Sequence, residues 1–314
     1  MTRSASVLVL NYNGRHLLEE CLPGLLHAVR RAGPGHAVHV VDNASTDGSR
    51  EFLRREFPGV GVVEIAENRF IFAYNEAADR VEQDILVLLN NDIAVHEDFL
   101  PPLLEPFSDP QVFAVGARIL EWDRRTPSAG RRRGELRRGM FLHHDAGGAA
   151  GGTPPTLFAP GGAGAFDRRK FLEIGGLDPL YRPYYYDDVD LSYRAWKRGW
   201  KVLYQPRSLL YHRVQATIAR LHTAAEIETL DRKNGLLFFW KNITDPGPFL
   251  LHHLLLPGRA LKALLLLRLQ FLRALGLALR QWPEARAARR RLRPFLRRSD
   301  REVLALCGAG EEVE

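Results

Sequence analysis

Two clusters of side chains hold the chemistry of this sequence. In Leu88-Leu89-Asn90-Asn91-Asp92 an apolar run stops abruptly in three side chains whose oxygens suit a metal ion. In Tyr186-Asp187-Asp188-Val189-Asp190-Leu191 three carboxylates fall within four positions. A strand delivering one carboxylate at its tip, with a second carboxylate cluster elsewhere, can hold a metal–diphosphate and take a proton from an attacking hydroxyl. Packing alone calls for neither cluster. Each also has a plainer use: Asp92 suits the cap of a following helix, and acids gather at helix N-termini, where the macrodipole favours them. In the second cluster the two uses are compatible, since a helix N-terminus is a rigid mount for a catalytic group. Asp190 stands four residues before Arg194, a spacing that predicts an ion pair on one helix face.

The elements that must position these residues alternate in type. A buried strand, Ser6 to Leu10, leads through Asn11-Tyr12-Asn13-Gly14 into an amphipathic helix over 16–31. A second strand, Val38 to Val41, ends in Asp42-Asn43, and Ser45-Thr46-Asp47 cap a helix reaching Phe57. Two more strands follow at 60–65 and 85–89. Apolar strands without polar alternation, joined by helices, indicate an α/β fold with a mostly parallel, Rossmann-like sheet covered on both faces. Ligands of such sheets bind beyond the carboxyl ends of the strands, where Asn11, Asp42, Asn68 and Asp92 all fall. Residues 121–156 break the pattern: Arg124, Arg125, Arg131, Arg132, Arg133, Arg137 and Arg138 crowd a Gly-rich stretch that reads as a mobile loop or lid. Helices are expected again over 168–174, 188–199 and 216–242. Pro246-Gly247-Pro248 then divides a domain, 1–245, from a C-terminal helical extension, 246–314.

Charge separates these two parts. The extension carries 13 of the 44 Lys and Arg but only 6 of the 37 Asp and Glu, leaving 31 of each in residues 1–245. A neutral body argues against nucleic acid as a partner, since that would need basic residues spread over the domain face. Cys21 and Cys307 show neither disulfide nor zinc spacing, and no signal peptide opens the chain, so a cytoplasmic setting is expected. The Leu-rich run from 249 to 282, spaced by Arg259, Lys262, Arg268, Arg273 and Arg280, is too interrupted for the ~20 apolar residues of a spanning helix. With Arg286 to Arg298 behind it, the segment 249–298 fits a peripheral place on the inner face of the plasma membrane, arginines snorkelling to headgroups. The plainer reading is a helical hairpin packed on the domain, or a dimer interface.

Six segments taken in order carry a family resemblance. They are Val7 to Gly14, Val40 to Ser49, Leu88 to Asp92, Gly175-Gly176-Leu177-Asp178, Tyr186 to Leu191 and Tyr211-His212, spread over roughly residues 4–245. The chain resembles the bacterial glycosyltransferases of family 2, with the GT-A fold, in a rhamnosyltransferase-like branch. The resemblance implies an inverting, metal-dependent transfer from a nucleoside-diphosphate sugar, with dTDP-rhamnose as a candidate donor. The acceptor would be a hydroxyl of a glycan or lipid-linked glycan in cell-envelope polysaccharide synthesis. It makes Asp42 the reader of the nucleotide, although a role in the Asn43-to-Gly48 turn stays open. It also puts Asn11, Asn13, Asn68, Asn75 and Asn91 around the nucleotide-sugar. Mg²⁺ or Mn²⁺ would be held by Asp92, with Asn90 and His212 assisting; a structural role for His212 also stays open. Asp188, beside Asp187, becomes the general base.

The sequence departs from the family at three places. Asn90 replaces the first Asp of an Asp-x-Asp motif, Asp187 replaces a Glu, and Phe70 stands where the family usually has Gly. A Gln-x-x-Arg-Trp motif is absent, which speaks against a processive synthase. Two other classes compete. A nucleotidyltransferase would carry a Gly-rich, basic phosphate loop after the first strand, and Asn11-Tyr12-Asn13-Gly14 is not one. A non-catalytic scaffold would keep the fold and tail; Asp92 and Asp188 count against it, while the departures at Asn90 and Phe70 keep it open.

Overall fold

The computed structural model describes residues 3–147, 152–213 and 223–308. The chain opens β1 (Ala5–Asn11), α1 (Arg15–Arg31), β2 (His36–Asn43), α2 (Ser49–Glu56), β3 (Gly61–Ile65), α3 (Ala73–Arg80), β4 (Ile85–Asn90), β5 (Ile93–Val95) and α4 (Leu100–Leu104). It continues through β6 (Val112–Glu121), β7 (Pro127–Ala129), β8 (Arg132–Arg137), β9 (Met140–Asp145), β10 (Ala163–Asp167), α5 (Arg168–Ile174), α6 (Asp187–Lys197) and β11 (Lys201–His212). The last helices are α7 (Ala224–Asn242), α8 (Pro246–Leu265), α9 (Leu269–Arg280), α10 (Trp282–Leu292) and α11 (Asp300–Gly308). Residues 216–222, expected to begin the helix ending at Asn242, lie outside the described residues.

The large sheet runs β3-β2-β1-β4-β10-β6-β11-β5, with β7 beside β6. β1, β2, β3 and β4 are parallel, as are β6 and β11, while β10 runs antiparallel between β4 and β6. Each central strand is apolar throughout because it feeds two cores. Ile85, Val87 and Leu89 of β4 join the core under α1 and α4; Leu86 and Leu88 join the core under α3, α5, α6 and α7. That double burial ends at Asn90, where the strand leaves both cores.

Two segments differ from the sequence expectation. Residues 127–145, expected as a mobile loop, form β7 and the hairpin β8–β9. Arg138 and Gly139 take φ of 50° and 69°, the backbone of a tight two-residue hairpin turn. Phe141 and Leu136 then sit side by side against the core. The cap of α2 also differs: Gly48, with φ 79°, occupies the N-cap, and Asp47 accepts from the Ser49 amide at 3.1 Å.

The C-terminal helices pack on the domain. α9 and α10 lie along α7, and α11 against β8 and α6. Asp300, fully buried, accepts from Tyr193 Oη and Lys197 Nζ at 2.8 Å each and from the amides of Thr244 and Asp245 at 2.6 and 2.7 Å. Arg289 and Arg298 donate to backbone carbonyls of Trp240, Gly199 and Trp200. These two arginines are therefore committed to protein. Among the described residues, no helix is long and apolar enough to cross a membrane.

Candidate functional site

The carboxyl ends of β1, β2 and β4 meet because the registers align Asn11 with Asp42 and Leu10 with Asn90. Asn11 is a buried hub: its Nδ2 donates to Ser45 Oγ and Ser49 Oγ at 3.1 Å each, and its Oδ1 accepts from Asn91 Nδ2 at 2.8 Å. Asn13 Oδ1 accepts from the Thr46 amide at 2.7 Å, tying the loop after β1 to the loop after β2. Gly14 is required here, since a Cβ would stand 2.1 Å from Asn91 Nδ2. Asp42, fully buried, accepts from Arg50 Nε at 2.6 Å and from the Ser45 amide at 3.2 Å. Asn68 Oδ1 accepts from Asn43 Nδ2 at 2.8 Å and from the Phe70 amide at 2.9 Å. Phe70 itself holds φ 54° and is 39% exposed, a backbone shape that favours the glycine expected there from the resemblance.

At the end of β4, Asp92 is nearly buried, and its Oδ2 lies 3.5 Å from His212 Nε2. β11 brings His212 there by pairing antiparallel with β5, whose Ile93 is its register partner. The other oxygen, Asp92 Oδ1, is buried without a hydrogen-bond partner. Leaving a carboxylate oxygen so costs free energy unless a cation satisfies it. Asn90 packs its amide over Gly162, where a Cβ would come within 2.5 Å. Among the described residues no three His, Cys, Asp or Glu converge on one point. Two protein ligands are enough for a hard cation that takes its other oxygens from diphosphate and water.

Asp187 and Asp188 open α6. Burial, the Asp188 charge and Asp190 raise the Asp187 carboxyl well above its ordinary value, so Asp187 keeps its proton. Burial also raises Asp188, but its Oδ1 accepts from the Val189 amide at 2.8 Å and its Oδ2 from the Gly161 amide at 3.4 Å. The charge of Arg132 on β8 further favours the ionised form. Two buried, raised carboxyls side by side, with Asp188 the one whose ionised form the backbone N–H groups and Arg132 favour, suit an acid–base site. Asp190 differs from both. Burial pushes it up, yet Arg194 at 2.6 Å, Lys241 at 2.6 Å and Asn242 at 2.7 Å hold it down at about 2. The predicted pair with Arg194 is present, and Asp190 is structural.

Asn75 stands apart from these groups. Its amide is used twice on Leu177, accepting from N–H and donating to C=O at 2.8 Å each, and so clamps the Gly175-Gly176 turn. Three features carried no sequence signal. Arg50 covers Asp42; Arg132 reaches the field of Asp188; and His143 sets its ring edge against Phe158 and Tyr186 with Nδ1 buried and unpartnered. The periodicity of α2 places Arg50 on one of its faces, but only the register of β8 with β9 reveals the other two. A cavity of about 360 Å³ also opens between β6, β7, β11 and the hairpin base, lined by Arg118, Ser128, Gly130, Asp145 and Tyr204 among others.

Comparison with known proteins identifies the family and the fold. The family described as "Glycosyltransferase like family 2" matches residues 3–233. The N-acetylglucosaminyl-diphospho-decaprenol L-rhamnosyltransferase of Mycobacterium tuberculosis is 27% identical over 271 residues, covering 75% of this chain and 87% of that protein. Among solved structures, GalNAc-T7 with UDP, GalNAc and Mn²⁺ superposes with TM-score 0.58 at 17% identity, over 76% of this chain and 47% of that one. The mannosyltransferase PcManGT of Pyrobaculum calidifontis, with GDP-Man and Mn²⁺, gives 0.54 at 17% identity, over 100% of this chain and 89% of that one.

Proposed function

Since the chain belongs to glycosyltransferase-like family 2 and is a glycosyltransferase of the GT-A fold, near a rhamnosyltransferase-like branch, we propose that it moves a sugar, rhamnose from dTDP-rhamnose being the leading donor, onto a hydroxyl of a lipid-linked glycan in cell-envelope synthesis, with inversion. The observation that carries the reading is Asp92 Oδ1, buried and unpartnered beside His212 at the end of β4. Asp92 and His212, with Asn90 at their side, are the residues that would hold Mg²⁺ or Mn²⁺. A cation there supplies charge neutralisation to a departing diphosphate.

The chain's own groups divide the remaining work. The nucleotide lies over β1, β2 and β3, with Arg50 moving off Asp42 to admit it. Asp188 takes the proton of the acceptor hydroxyl, and the neutral Asp187 beside it keeps that charge from being repelled. In a single displacement the acceptor must enter from the side opposite the nucleotide. Sheet order puts β6 and β11 on that side, with β4 and β10 between. The cavity at β6 fits this entry: Gly116 faces Pro160, Gly161 donates to Asp188, and Arg118 lies two residues, about 7 Å, farther along the same face. Work on a lipid-linked acceptor places the protein at the inner face of the plasma membrane.

Thermal melting against UDP-, GDP- and dTDP-sugars, each with and without Mn²⁺, tests the proposal. A ligand at about a hundred times its Kd adds roughly 2.7 kcal/mol of stability. Metal-dependent stabilisation by dTDP-rhamnose alone is the expected result. Stabilisation by UDP- or GDP-sugars instead would replace the donor, and no response to any nucleotide would refute the reading.

A further inference from the structure

The outer face of the C-terminal helices is apolar where a surface facing water is ordinarily polar. α8 turns His252 and Ala263 inward, at 0 and 4% exposure. It turns Leu250, Leu254, Leu261 and Leu265 outward, at 72, 73, 57 and 73%. With 3.6 residues per turn, these four fall within one stripe roughly 60° wide. Leu264, Leu266, Leu267 and Leu269 carry the ridge around the corner into α9, each more than half exposed. Single exposed leucines are ordinary, but a contiguous ridge marks a partner.

Charge selects that partner. Residues 246–283 contain five basic side chains and no Asp or Glu. Lys262, Arg268, Arg273 and Arg280 are exposed and have no carboxylate partner among the described residues. A second copy of the chain placed on this face by two-fold symmetry would set these cations against one another. A bilayer surface bearing anionic headgroups satisfies both the leucines and the cations. With no helix among the described residues able to cross, α8, about 30 Å long, would lie flat in the interface.

We infer that the outward face of α8 and its corner with α9 is a lipid-docking surface, while α10 and α11 belong to the protein. The hairpin β8–β9 joins this surface to the catalytic side. At its turn, the Gly139 carbonyl accepts from His252 Nδ1 at 2.6 Å and the Arg138 carbonyl accepts from Arg259. The direction of the first bond follows from His252 Nε2, which accepts from Trp240 Nε1 at 2.9 Å. At its open end, Arg132 pairs with Asp145 on the cavity wall, and along its length His143 sets its ring edge on Tyr186, the residue before Asp187. Six residues of strand span about 20 Å. An amphiphilic acceptor anchored under α8 thus presents its sugar to Asp188 along a rigid two-stranded strap. This last step rests on the glycosyl-transfer reading; the docking itself does not.

The test is co-sedimentation of the full chain with vesicles of phosphatidylglycerol and phosphatidylcholine in equal parts, and with phosphatidylcholine alone. The wild type is expected to bind the mixed vesicles and to bind the neutral ones at least tenfold more weakly. Leu250→Gln, Leu254→Gln, Leu261→Gln and Leu265→Gln combined should cut the partition coefficient about a hundredfold. The melting temperature should stay unchanged, because these side chains face outward. Unchanged vesicle binding in the variant overturns the inference. So does a wild-type dimer that ignores vesicles and becomes a monomer in the variant. Vesicle binding needs no nucleotide, so failure of the donor reading leaves this result standing on its own.

Discussion

Converting Asp187, Asp188 and Asp190 to Asn one at a time separates three functions packed into four residues. Asp190 is buried and held at about 2 against an ordinary 3.8. At 1.36 kcal/mol per unit, this carboxylate contributes about 2 kcal/mol of stability. Because its folded value is depressed, that contribution is complete above pH 3.8 and is lost as pH falls through about 2. Asp190→Asn removes it at neutral pH and leaves buried cations short of a partner. The loss stays near roughly 2–3 kcal/mol, because Lys241 keeps Asp178 at 2.7 Å and Arg194 keeps two carbonyls. At roughly 2.1 cal/mol/K of unfolding entropy per residue, a chain of 314 residues should lose about 3–5 °C in melting temperature. Asp188→Asn removes a charge that burial disfavours, so melting should hold or rise, while kcat drops by roughly 10²–10⁴ as expected for loss of a general base. Asp187→Asn keeps a neutral group where a neutral carboxyl already stands. Melting at pH 7 should rise slightly, since a raised carboxyl destabilises the fold as pH climbs past its unfolded value, and kcat should fall far less than in Asp188→Asn. Scanning calorimetry and steady-state kinetics on the three variants read all of this. If Asp188→Asn keeps activity within tenfold, or Asp190→Asn leaves melting unchanged, the division of roles is refuted.

Two further outcomes follow from the same geometry. The profile of kcat/KM should lose activity as pH falls through the raised value of Asp188, with its acid limb above 3.8; Arg132→Gln should move that limb higher, and a limb unmoved by the substitution would remove Arg132 from the site. Gly130→Leu should raise the KM for acceptor at least tenfold with donor-induced melting shifts unchanged, because its Cβ would point at Tyr204 Oη from 3.5 Å and the side chain would fill the cavity; an unchanged KM places the acceptor elsewhere.

What the sequence revealed depended on whether a signal was local. Strands β1 and β4 were legible because double burial makes them near-unbroken apolar runs, and β2 and β3 through their valines, so the strand ends marked Asn11, Asp42 and Asn90. The Asp190–Arg194 pair was legible because i,i+4 spacing is itself a contact. Phe70 was legible as a departure, and its φ of 54° shows the reason. Roles set by long-range contact were not legible. The resemblance set Asn75 around the nucleotide-sugar, yet both its amide atoms are fixed to Leu177, far along the chain. The hairpin β8–β9 hid behind its arginines: Arg138-Gly139 makes the turn that Asn-Gly usually signals, and its apolar contacts with the core come from Leu136, Met140 and Phe141. The tail misled in the opposite direction. Its arginines looked alike in the sequence, but Arg289 and Arg298 bond to protein carbonyls while Arg268 and Arg273, exposed beside the leucine ridge, have no carboxylate partner among the described residues. Spacing can propose that a basic, Leu-rich segment meets lipid. Which face does so is decided by what α7 and α9 leave uncovered, and on α8 they leave the leucines.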